Sequence, residues 1–345
     1  MDKKKIVFIV NPISGTQSKK GILDLIEKHI DKDQYDYTIT PTQYAGHATE
    51  LAAIAAAEGA HTVVAIGGDG TVNEIGRSLV HTNTQMAIIP CGSGNGLARH
   101  LRIPMIPTDA IDIINNDHST CIDYGRINNI PFFCTCGVGF DAFVSLKFSQ
   151  SGRRGLLTYL ENALHEALTY KPETYQIELC NDGESKECKA FLIACANASQ
   201  YGNNAYIAPL ASLHDGLMDV TVLEPFTVLD IPALSFQLFT RTIDQNSRIK
   251  TYKCQKLRIH RAEEGVMHFD GDPIMGGKDI EVEIIPKALN VVVNKNRKSR
   301  RQPESLLRTL GDYMNGVNAL SGSLLERNRK LLQLNKSLFK KLTNK

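Results

Sequence analysis

The first 120 residues alternate short apolar runs with helical patterns, and this alternation constrains the fold more than any other feature. Four runs are typical of strands, at residues 5–10, 35–40, 62–66 and 86–90. Amphipathic or alanine-rich patterns between them predict helices at residues 21–30, 47–60 and 72–80. Strands that alternate with helices form βαβ units around a parallel sheet. The sequence therefore predicts an N-terminal three-layer α/β domain with a mostly parallel sheet.

From about Cys121 the pattern changes. Residues 121–139 indicate a hairpin, residues 155–170 a helix, and β-rich segments with polar turns then follow as far as Val293. These features predict a second, antiparallel β-rich domain of the sandwich type. The predicted domains are residues 1–120, residues 121–295, and a C-terminal helical tail over residues 296–345.

The tail combines basic charge with an apolar stripe. Residues 297–345 contain twelve Lys and Arg against three acids, although the whole chain has a net charge of only +2. Apolar side chains recur at steps of three and four, at Leu306, Leu310, Met314, Val317, Leu320 and Leu324. Such a helix is expected to lie on a membrane surface, to pack on the body of the protein or to form a homodimer. No nucleic-acid partner is expected.

The ends and the cysteines limit the class of protein further. The N-terminus is charged and enters a strand directly, without the apolar region of a signal peptide. No apolar stretch approaches the roughly 20 residues that span a bilayer. Cys134 and Cys136 have a C-x-C spacing without a second pair that would complete a zinc site. A cytoplasmic protein is predicted, either free or peripheral at the inner membrane surface.

The run Gly67-Gly68-Asp69-Gly70-Thr71 links the third strand to a helix. Glycines let the backbone approach a phosphate closely, and the amides at the start of a helix favour an anion. A carboxylate beside a phosphate is unfavourable unless it holds a metal ion or acts on a hydroxyl. Asp69 therefore favours phosphoryl transfer over a simple glycine-rich turn.

Two further loops follow strands of the same predicted sheet. Residues 11–15 follow the first strand and residues 90–96 follow the fourth, and each loop offers backbone amides, a hydroxyl and an asparagine. The carboxyl ends of parallel strands share one edge of a sheet, so the three loops together predict a nucleotide cleft. Neither a Walker A motif nor a G-x-G-x-x-G motif after the first strand is present.

The three loops, read as Asn-Pro-x-Ser-Gly, Gly-Gly-Asp-Gly-Thr-Val-Asn-Glu and Pro-x-Gly-Ser-Gly-Asn, resemble the diacylglycerol kinase and sphingosine kinase catalytic family, including bacterial lipid kinases. The resemblance covers roughly residues 4–294. It implies an ATP-dependent lipid kinase that uses Mg²⁺ and phosphorylates the primary hydroxyl of a lipid alcohol, either diacylglycerol-like or a sphingoid base. Gly96 stands where diacylglycerol kinases usually have Asp and sphingosine kinases a small residue.

The resemblance also assigns residues to roles. The implied nucleotide-binding positions are Asn11, Ser14, Gly15, Thr42, Gly67, Gly68, Asp69, Gly70, Thr71, Val72, Asn73, Gly92, Ser93 and Asn95. Asp123 matches an acidic residue at the domain junction. A structural magnesium is implied at the Asp215 carboxylate and the carbonyls of Ser212 and Leu217.

Two carboxylates are candidates for the catalytic base that acts on the lipid hydroxyl. Residues 270–272 read Asp-Gly-Asp where the family has Asp-Gly-Glu, so Asp272 is one methylene shorter than the family's proposed base. Asp69 is the other candidate.

Two other functions stay open from the sequence. An NAD or sugar-phosphate kinase also uses Gly-Gly-Asp-Gly, although the β-rich second domain fits the lipid branch better. A catalytically weak lipid-binding or regulatory protein is the other alternative, suggested by the shortened carboxylate at Asp272.

Overall fold

A computed structural model describes residues 2–15, 19–150, 170–180 and 184–295. The tail over residues 296–345 and nearly all of the helix predicted over residues 155–170 lie outside the described residues. Within the described residues, no helix is long and apolar enough to cross a membrane.

The first domain has the predicted alternation of strands and helices. Its elements are β1 (Lys4–Val10), α1 (Lys19–His29), β2 (Tyr35–Pro41), α2 (His47–Ala57), β3 (Thr62–Gly67), α3 (Asp69–Leu79), β4 (Gln85–Pro90), α4 (Gly96–His100) and α5 (Pro107–Asn115). The four strands are parallel, in the order β2-β1-β3-β4. Helix α5 was not predicted, although Pro107 at its start and a buried stripe of Ala110, Ile111 and Ile114 are helix signals.

The second domain is built from antiparallel strands, as predicted. Its elements are β5 (Ser119–Ile127), β6 (Ile130–Phe132), β7 (Thr135–Gly139), α6 (Phe140–Gln150), β8 (Glu173–Leu179), β9 (Glu184–Ala190), β10 (Leu192–Ala196), β11 (Met218–Leu223), α7 (Ile231–Thr240), β12 (Ile249–Cys254), β13 (Lys256–Arg261), β14 (Gly265–Phe269), β15 (Asp272–Gly276) and β16 (Asp279–Val292). A six-stranded sheet in the order β12-β11-β10-β7-β14-β15 shares an apolar core with strands of the larger sheet.

Strand β16 joins the two domains into one sheet. It pairs with β13 and β5 in antiparallel fashion and with β4 in parallel fashion, where Val291 lies opposite Met86. Leu289, Val291 and Val292 are buried in the core of the first domain. The chain therefore returns to the first domain at its last strand, well after the boundary predicted at residue 120. There β16 covers the edge of β4 that would otherwise be open.

Two local features explain differences from the predicted strands. The β-rich segment from Lys186 to Asn197 has no polar turn within it, yet the chain turns at Phe191 and supplies β9 to one sheet and β10 to the other. The predicted hairpin is present as β5 and β6, whose Asn128-Asn129 loop has φ of 45° and 69°. Asparagine tolerates this left-handed backbone, which two-residue hairpins favour. β7 belongs to the other sheet.

Candidate active site

The three glycine loops meet at the carboxyl ends of the parallel strands. A Cβ on Gly15 would lie 1.7 Å from the Cys91 carbonyl oxygen, and a Cβ on Gly92 would lie 2.5 Å from the Cα of Gly68. The backbones of the loops are therefore in direct contact, which only glycine allows at these positions. The loops form one continuous cradle rather than three separate turns.

Asn11 connects the first loop to the third-strand loop. Its Nδ2 donates to the Thr71 hydroxyl at 3.1 Å, and its Oδ1 accepts from the Ile13 amide at 3.1 Å. The Ser14 hydroxyl donates to the Asn11 carbonyl at 3.0 Å. The asparagine thus fixes the shape of the first loop and its distance from the start of α3.

Asp69 connects the third-strand loop to the fourth-strand loop. Its Oδ2 accepts from the Asn95 amide at 2.8 Å and its Oδ1 from the Gly96 amide at 2.7 Å, at the start of α4. Desolvation raises the pKa of Asp69 to about 6, and the two amide hydrogen bonds oppose this rise. Both carboxylate oxygens thus accept backbone hydrogen bonds, so Asp69 shapes the cradle.

Asn95 and Ser93 occupy different parts of the fourth-strand loop. Asn95 is buried, has a left-handed backbone with φ of 52°, and closes the loop on Gly92 through hydrogen bonds of 3.0 Å and 2.7 Å. Ser93 is exposed at the loop tip. Its hydroxyl is therefore free to meet a ligand from solvent.

Helix α3 points different residues of the predicted motif in different directions. Thr71 and Val72 are buried beneath the cradle. Asn73 turns towards the second domain, where its Nδ2 donates to Asp270 Oδ2 at 2.8 Å and to the Pro131 carbonyl at 3.2 Å. Asn73 therefore belongs to the domain junction instead of the part of the cradle that surrounds Gly68.

Glu74 ends the motif quoted for the family resemblance but received no role from the sequence, and Arg77 was not considered. Glu74 accepts from the amides of Gly46 at 3.0 Å and Ala48 at 3.2 Å, at the start of α2. The Arg77 guanidinium donates to Asn73 Oδ1 and lies over the Phe269 ring at 5.9 Å. The helical spacing of four residues between Asn73 and Arg77 was the signal that could have found this pair.

Thr42 lies beside the cradle at the end of β2. Its amide donates to the Val10 carbonyl at 2.8 Å, so it continues the pairing of β2 with β1. Thr42 lies close in sequence to Gly46, which Glu74 anchors, so its position is tied to α3.

Asp270 links one side chain of the first domain to three backbone amides of the second. Its Oδ1 accepts from the amides of Cys134 at 2.7 Å and Thr135 at 3.1 Å, and its Oδ2 accepts from Phe133 at 2.8 Å in addition to Asn73. Desolvation raises the pKa of Asp270 despite these four bonds. With Gly271 it also forms the turn between β14 and β15, with φ of 47° and 90°.

Asp272 begins β15 directly after that turn and is exposed. Its carboxylate makes no hydrogen bond with the part of the chain that the structure describes. Desolvation and then the neighbouring Asp270 raise the pKa of Asp272, while Arg77 opposes the rise. A free carboxylate with a raised pKa is suited to accept a proton from an approaching hydroxyl.

A buried polar group lies next to this hairpin. Asp141 Oδ2 accepts from the Tyr201 hydroxyl at 3.0 Å and lies 3.1 Å from His268 Nε2. His268 is on β14, two residues before Asp270, and both Asp141 and His268 are almost fully buried. No sequence pattern indicates this pair, since Asp141 and His268 are 127 residues apart along the chain.

Asp123 is fully buried at the junction. Its Oδ1 accepts from the Lys287 amide and its Oδ2 from the Gly216 amide, both at 2.8 Å. It thereby fixes the irregular segment of β16 against the loop that contains Asp215. Complete burial places it out of reach of a substrate.

The predicted magnesium loop lies beside Asp123 instead of the glycine cradle. Asp215 Oδ2 is 3.1 Å from the Lys253 ammonium, and its Oδ1 accepts from the Leu217 amide at 3.3 Å. Lys253 is also 3.1 Å from Asp219. The donor set does not fit a metal ion as it stands, because an ammonium and an amide already engage the one carboxylate. Magnesium binding by Asp215, Ser212 and Leu217 stays a prediction.

Comparison with known proteins gives two family matches. The diacylglycerol kinase catalytic domain family matches residues 5–127, and the YegS C-terminal NAD kinase beta sandwich-like domain family matches residues 134–293. The first match identifies a kinase catalytic domain. The chain thus combines a diacylglycerol kinase catalytic domain with a YegS-type C-terminal domain.

Individual relatives are distant in sequence. A diacylglycerol kinase from Bacillus subtilis is 26% identical over 278 residues, which are 78% of this chain and 90% of that one. A protein named "Probable lipid kinase YegS" from Salmonella heidelberg is 27% identical over 238 residues, 67% of this chain and 77% of the relative. A solved diacylglycerol kinase from Bacillus anthracis, 21% identical, shares the fold with a TM-score of 0.66 over 86% of this chain and 98% of that one.

Proposed function

We propose that the protein transfers the γ-phosphoryl group of ATP to the primary hydroxyl of a lipid alcohol of the diacylglycerol class. One observation carries the proposal: the glycine cradle and the free Asp272 carboxylate are linked through Asn73 and Asp270 at the domain junction. A phosphate site thus lies on one side of the junction and a candidate base on the other. The relatives named diacylglycerol kinase and lipid kinase support the lipid acceptor.

The cradle fits the phosphates of ATP. Its glycines leave backbone amides without side chains in front of them, and the amides at the start of α3 favour negative charge. Ser93 would contact the nucleotide at the loop tip. Mg²⁺, when bound with the nucleotide, would neutralise charge that develops on the transferred phosphoryl group.

The two candidate bases receive different roles. Asp272, exposed and without a hydrogen bond from the described part of the chain, accepts the proton of the lipid hydroxyl. The two carboxylate oxygens of Asp69 accept hydrogen bonds from the amides of Asn95 and Gly96. Asp69 thereby holds the fourth-strand loop in the shape that surrounds the phosphates. Asp270 orients the hairpin that carries Asp272.

A lipid panel with radiolabelled ATP tests the function. Labelled product is expected with diacylglycerol, and a sphingoid base in the same panel decides between the two lipid classes. NAD is included as an acceptor for the alternative kinase. Nucleotide binding without transfer to any of these acceptors would overturn the kinase proposal and favour a lipid-binding or regulatory role.

Replacement of Gly92 by alanine is expected to reduce nucleotide binding. The new Cβ would lie 2.5 Å from the Cα of Gly68, so one loop must move and the cradle must open. The rise in melting temperature on addition of ATP and Mg²⁺ reports the apparent affinity for the nucleotide. We expect this affinity to fall at least about tenfold. Gly21→Ala is the control, because a Cβ there meets nothing within 4 Å. An unchanged ATP response in Gly92→Ala would contradict the shared cradle.

Activity is expected to fall as the pH is lowered through about 6, where Asp69 takes up a proton. The protonated carboxyl places a hydrogen against the Asn95 or Gly96 amide, which loosens the loop, and the raised pKa of Asp272 acts in the same direction. The profile of kcat/KM between roughly pH 5 and pH 8 measures this effect. A flat profile down to about pH 5 would contradict the role of the Asp69 carboxylate in holding the fourth-strand loop.

The effect of Asp69 on stability has the opposite sign. Its pKa in the folded protein, about 6, lies above the ordinary value of 3.8, so the folded state binds the proton more tightly than the unfolded chain. This contribution to stability is present below about pH 4 and is lost as the pH rises through about 6. At neutral pH the charged Asp69 therefore costs stability, which is typical of a carboxylate kept for function.

A further inference from the structure

Three polar side chains of the second domain, Asp141, Tyr201 and His268, meet at one carboxylate; we call them the Asp141 cluster. Asp141 Oδ2 accepts from the Tyr201 hydroxyl at 3.0 Å and lies 3.1 Å from His268 Nε2. Its Oδ1 accepts from the Ala142 amide at 2.8 Å. Asp141 and His268 are buried. A buried carboxylate is destabilising unless donors surround it, so each of these hydrogen bonds matters.

The Asp141 carboxylate determines which nitrogen of His268 carries a proton. A carboxylate accepts hydrogen bonds, so the imidazole nitrogen beside it, Nε2, is the N–H donor. His268 Nδ1 is buried and makes no hydrogen bond within the residues that the structure describes. The polar contact that orients the ring is therefore made through Nε2.

Gly137 on β7 provides the space for the Asp141 cluster. It lies opposite His268 in the pairing of β7 with β14. A Cβ on Gly137 would lie 3.1 Å from Asp141 Oδ2 and 2.4 Å from the Ile193 carbonyl oxygen. The carboxylate thus lies close over the glycine backbone, where a larger residue would displace it. Asp141, which belongs to α6, thereby reaches across β7 to the next strand.

The backbone around Tyr201 contacts the phosphate cradle. It belongs to residues 200–205, which we call the Tyr201 loop. A Cβ on Gly202 would lie 2.8 Å from the Cα of Gly94, in the fourth-strand loop. The Asn203 amide donates to the Gly94 carbonyl at 3.0 Å. The Tyr201 loop therefore lies directly against the part of the cradle that follows β4.

The other end of the Asp141 cluster holds the hairpin that carries Asp272. Strands β14 and β15 form this hairpin, and His268 lies opposite Pro273, the residue after Asp272. Helix α6, which carries Asp141, packs against both strands. One carboxylate thus joins the Tyr201 loop to the β14–β15 hairpin.

This connection runs between the two sides of the proposed reaction. Phosphoryl transfer depends on the distance and alignment of the donor phosphate and the acceptor hydroxyl. The cradle is proposed to hold the phosphate, and Asp272 to receive the proton of the hydroxyl. Asn73 and Asp270 connect the two sides at the domain junction. The Asp141 cluster connects them a second time, through different residues.

We propose that Asp141 is a positioning residue, which fixes the β14–β15 hairpin relative to the fourth-strand loop through His268 and Tyr201. The inference rests on the proposed function, because it concerns the alignment of the phosphoryl donor with the base. Asp141 is buried and acts through its two partners, without contact with a substrate.

Tyr201→Phe removes one hydroxyl and tests this role. We expect kcat to fall at least about tenfold, because the hairpin is held less firmly against the cradle. The KM values for ATP and for the lipid should stay within about twofold. Nucleotide binding is spared because the Tyr201 loop keeps the bond from the Tyr201 amide to the Ala205 carbonyl and its contact with Gly94. A steady-state assay with diacylglycerol and ATP measures both constants.

Tyr35→Phe is the matched control for a loss of stability. The buried Tyr35 hydroxyl donates to the Ile114 carbonyl at 2.9 Å, at the start of β2 and far from the carboxyl ends of the strands. Both variants should lower the melting temperature to a similar extent, and only Tyr201→Phe should lose kcat. An unchanged kcat in Tyr201→Phe, a loss confined to KM, or an equal loss of kcat in Tyr35→Phe would overturn the positioning role.

His268→Gln and His268→Leu separate the hydrogen bond from the packing. Glutamine can place an amide N–H near the position of Nε2, so more than about half of the parent kcat should be kept. Leucine cannot donate, and kcat should fall at least about tenfold. The double variant with Tyr201→Phe should lose little more than the worse single variant, because both partners act through Asp141. Equal kcat in the glutamine and leucine variants, or losses that multiply, would overturn the proposal.

Amide hydrogen exchange, followed by mass spectrometry, provides a readout that needs no turnover. In the protein without ligands, exchange in β14 and β15 should be at least about threefold faster in Tyr201→Phe than in the parent protein. It should be unchanged in Tyr35→Phe. Equal exchange in Tyr201→Phe and the parent would overturn the link between the loop and the hairpin. No turnover of any lipid by the parent protein would instead overturn the proposed function, and the exchange rates would still decide whether the link exists.

Discussion

Asp272→Asn is expected to lower kcat by a factor of about 10² to 10⁴, the range that a general base supplies. The amide cannot accept the proton of the lipid hydroxyl, while the cradle that binds the nucleotide is untouched. Because the side chain is exposed and receives no hydrogen bond from the described residues, the melting temperature should stay close to that of the parent protein. A steady-state assay with diacylglycerol and ATP measures the loss.

Asp272→Glu is the informative companion. It restores the Asp-Gly-Glu sequence found in the family that this chain resembles, so a large part of the activity should be kept. Asp279→Asn, an exposed acid at the start of β16, serves as the matched control. Asp272→Asn with more than about a tenth of the parent kcat would remove Asp272 as the base and return that role to Asp69.

Asp270→Ala is expected to destabilise the protein by at least about 3 kcal/mol, because each buried donor left without a partner costs roughly 1–3 kcal/mol. The substitution leaves the backbone amides of Phe133, Cys134 and Thr135 and the side-chain amide of Asn73 without their acceptor. Urea denaturation, followed by circular dichroism, measures the shift of the midpoint.

Asp279→Ala again provides the control, with a carboxylate whose side chain is 88% exposed. It should change the free energy of unfolding by no more than about 0.5 kcal/mol. A loss below about 1 kcal/mol in Asp270→Ala would mean that water replaces the carboxylate at the junction. The role of Asp270 as the acceptor that holds Asn73 and the backbone amides of residues 133–135 would then be wrong.

Local sequence was sufficient for the first domain and for the phosphate cradle. A strand, a run of glycines and a helix follow each other within residues 62–79, so the loop and its direction could be predicted. The same holds for the Asn128-Asn129 hairpin, whose turn residues carry the required backbone preference. Helix α5 had equally local signals, and it was missed because its apolar stripe is short.

Long-range contacts could not be predicted in this way. In the sequence, Asp270 before Gly271 indicates only a turn. In the structure, its carboxylate accepts hydrogen bonds from amides more than 130 residues away. Asp141 and His268 gave no pattern in the sequence, because a polar pair between a helix and a distant strand has no fixed spacing. Local sequence also did not indicate that β16 returns to pair with β4 of the first domain. That pairing is specified by the shape of both domains together.

By itself, the sequence determined the class of fold, the position of the glycine loops and the set of carboxylates available for chemistry, because each depends on residues that are neighbours along the chain. Only the tertiary structure decided how those carboxylates differ. It places backbone amides against Asp69 and Asp270 and leaves Asp272 exposed. The physical reason is that hydrogen bonding and desolvation depend on which distant segments fold against a side chain, and these effects set its charge and its role.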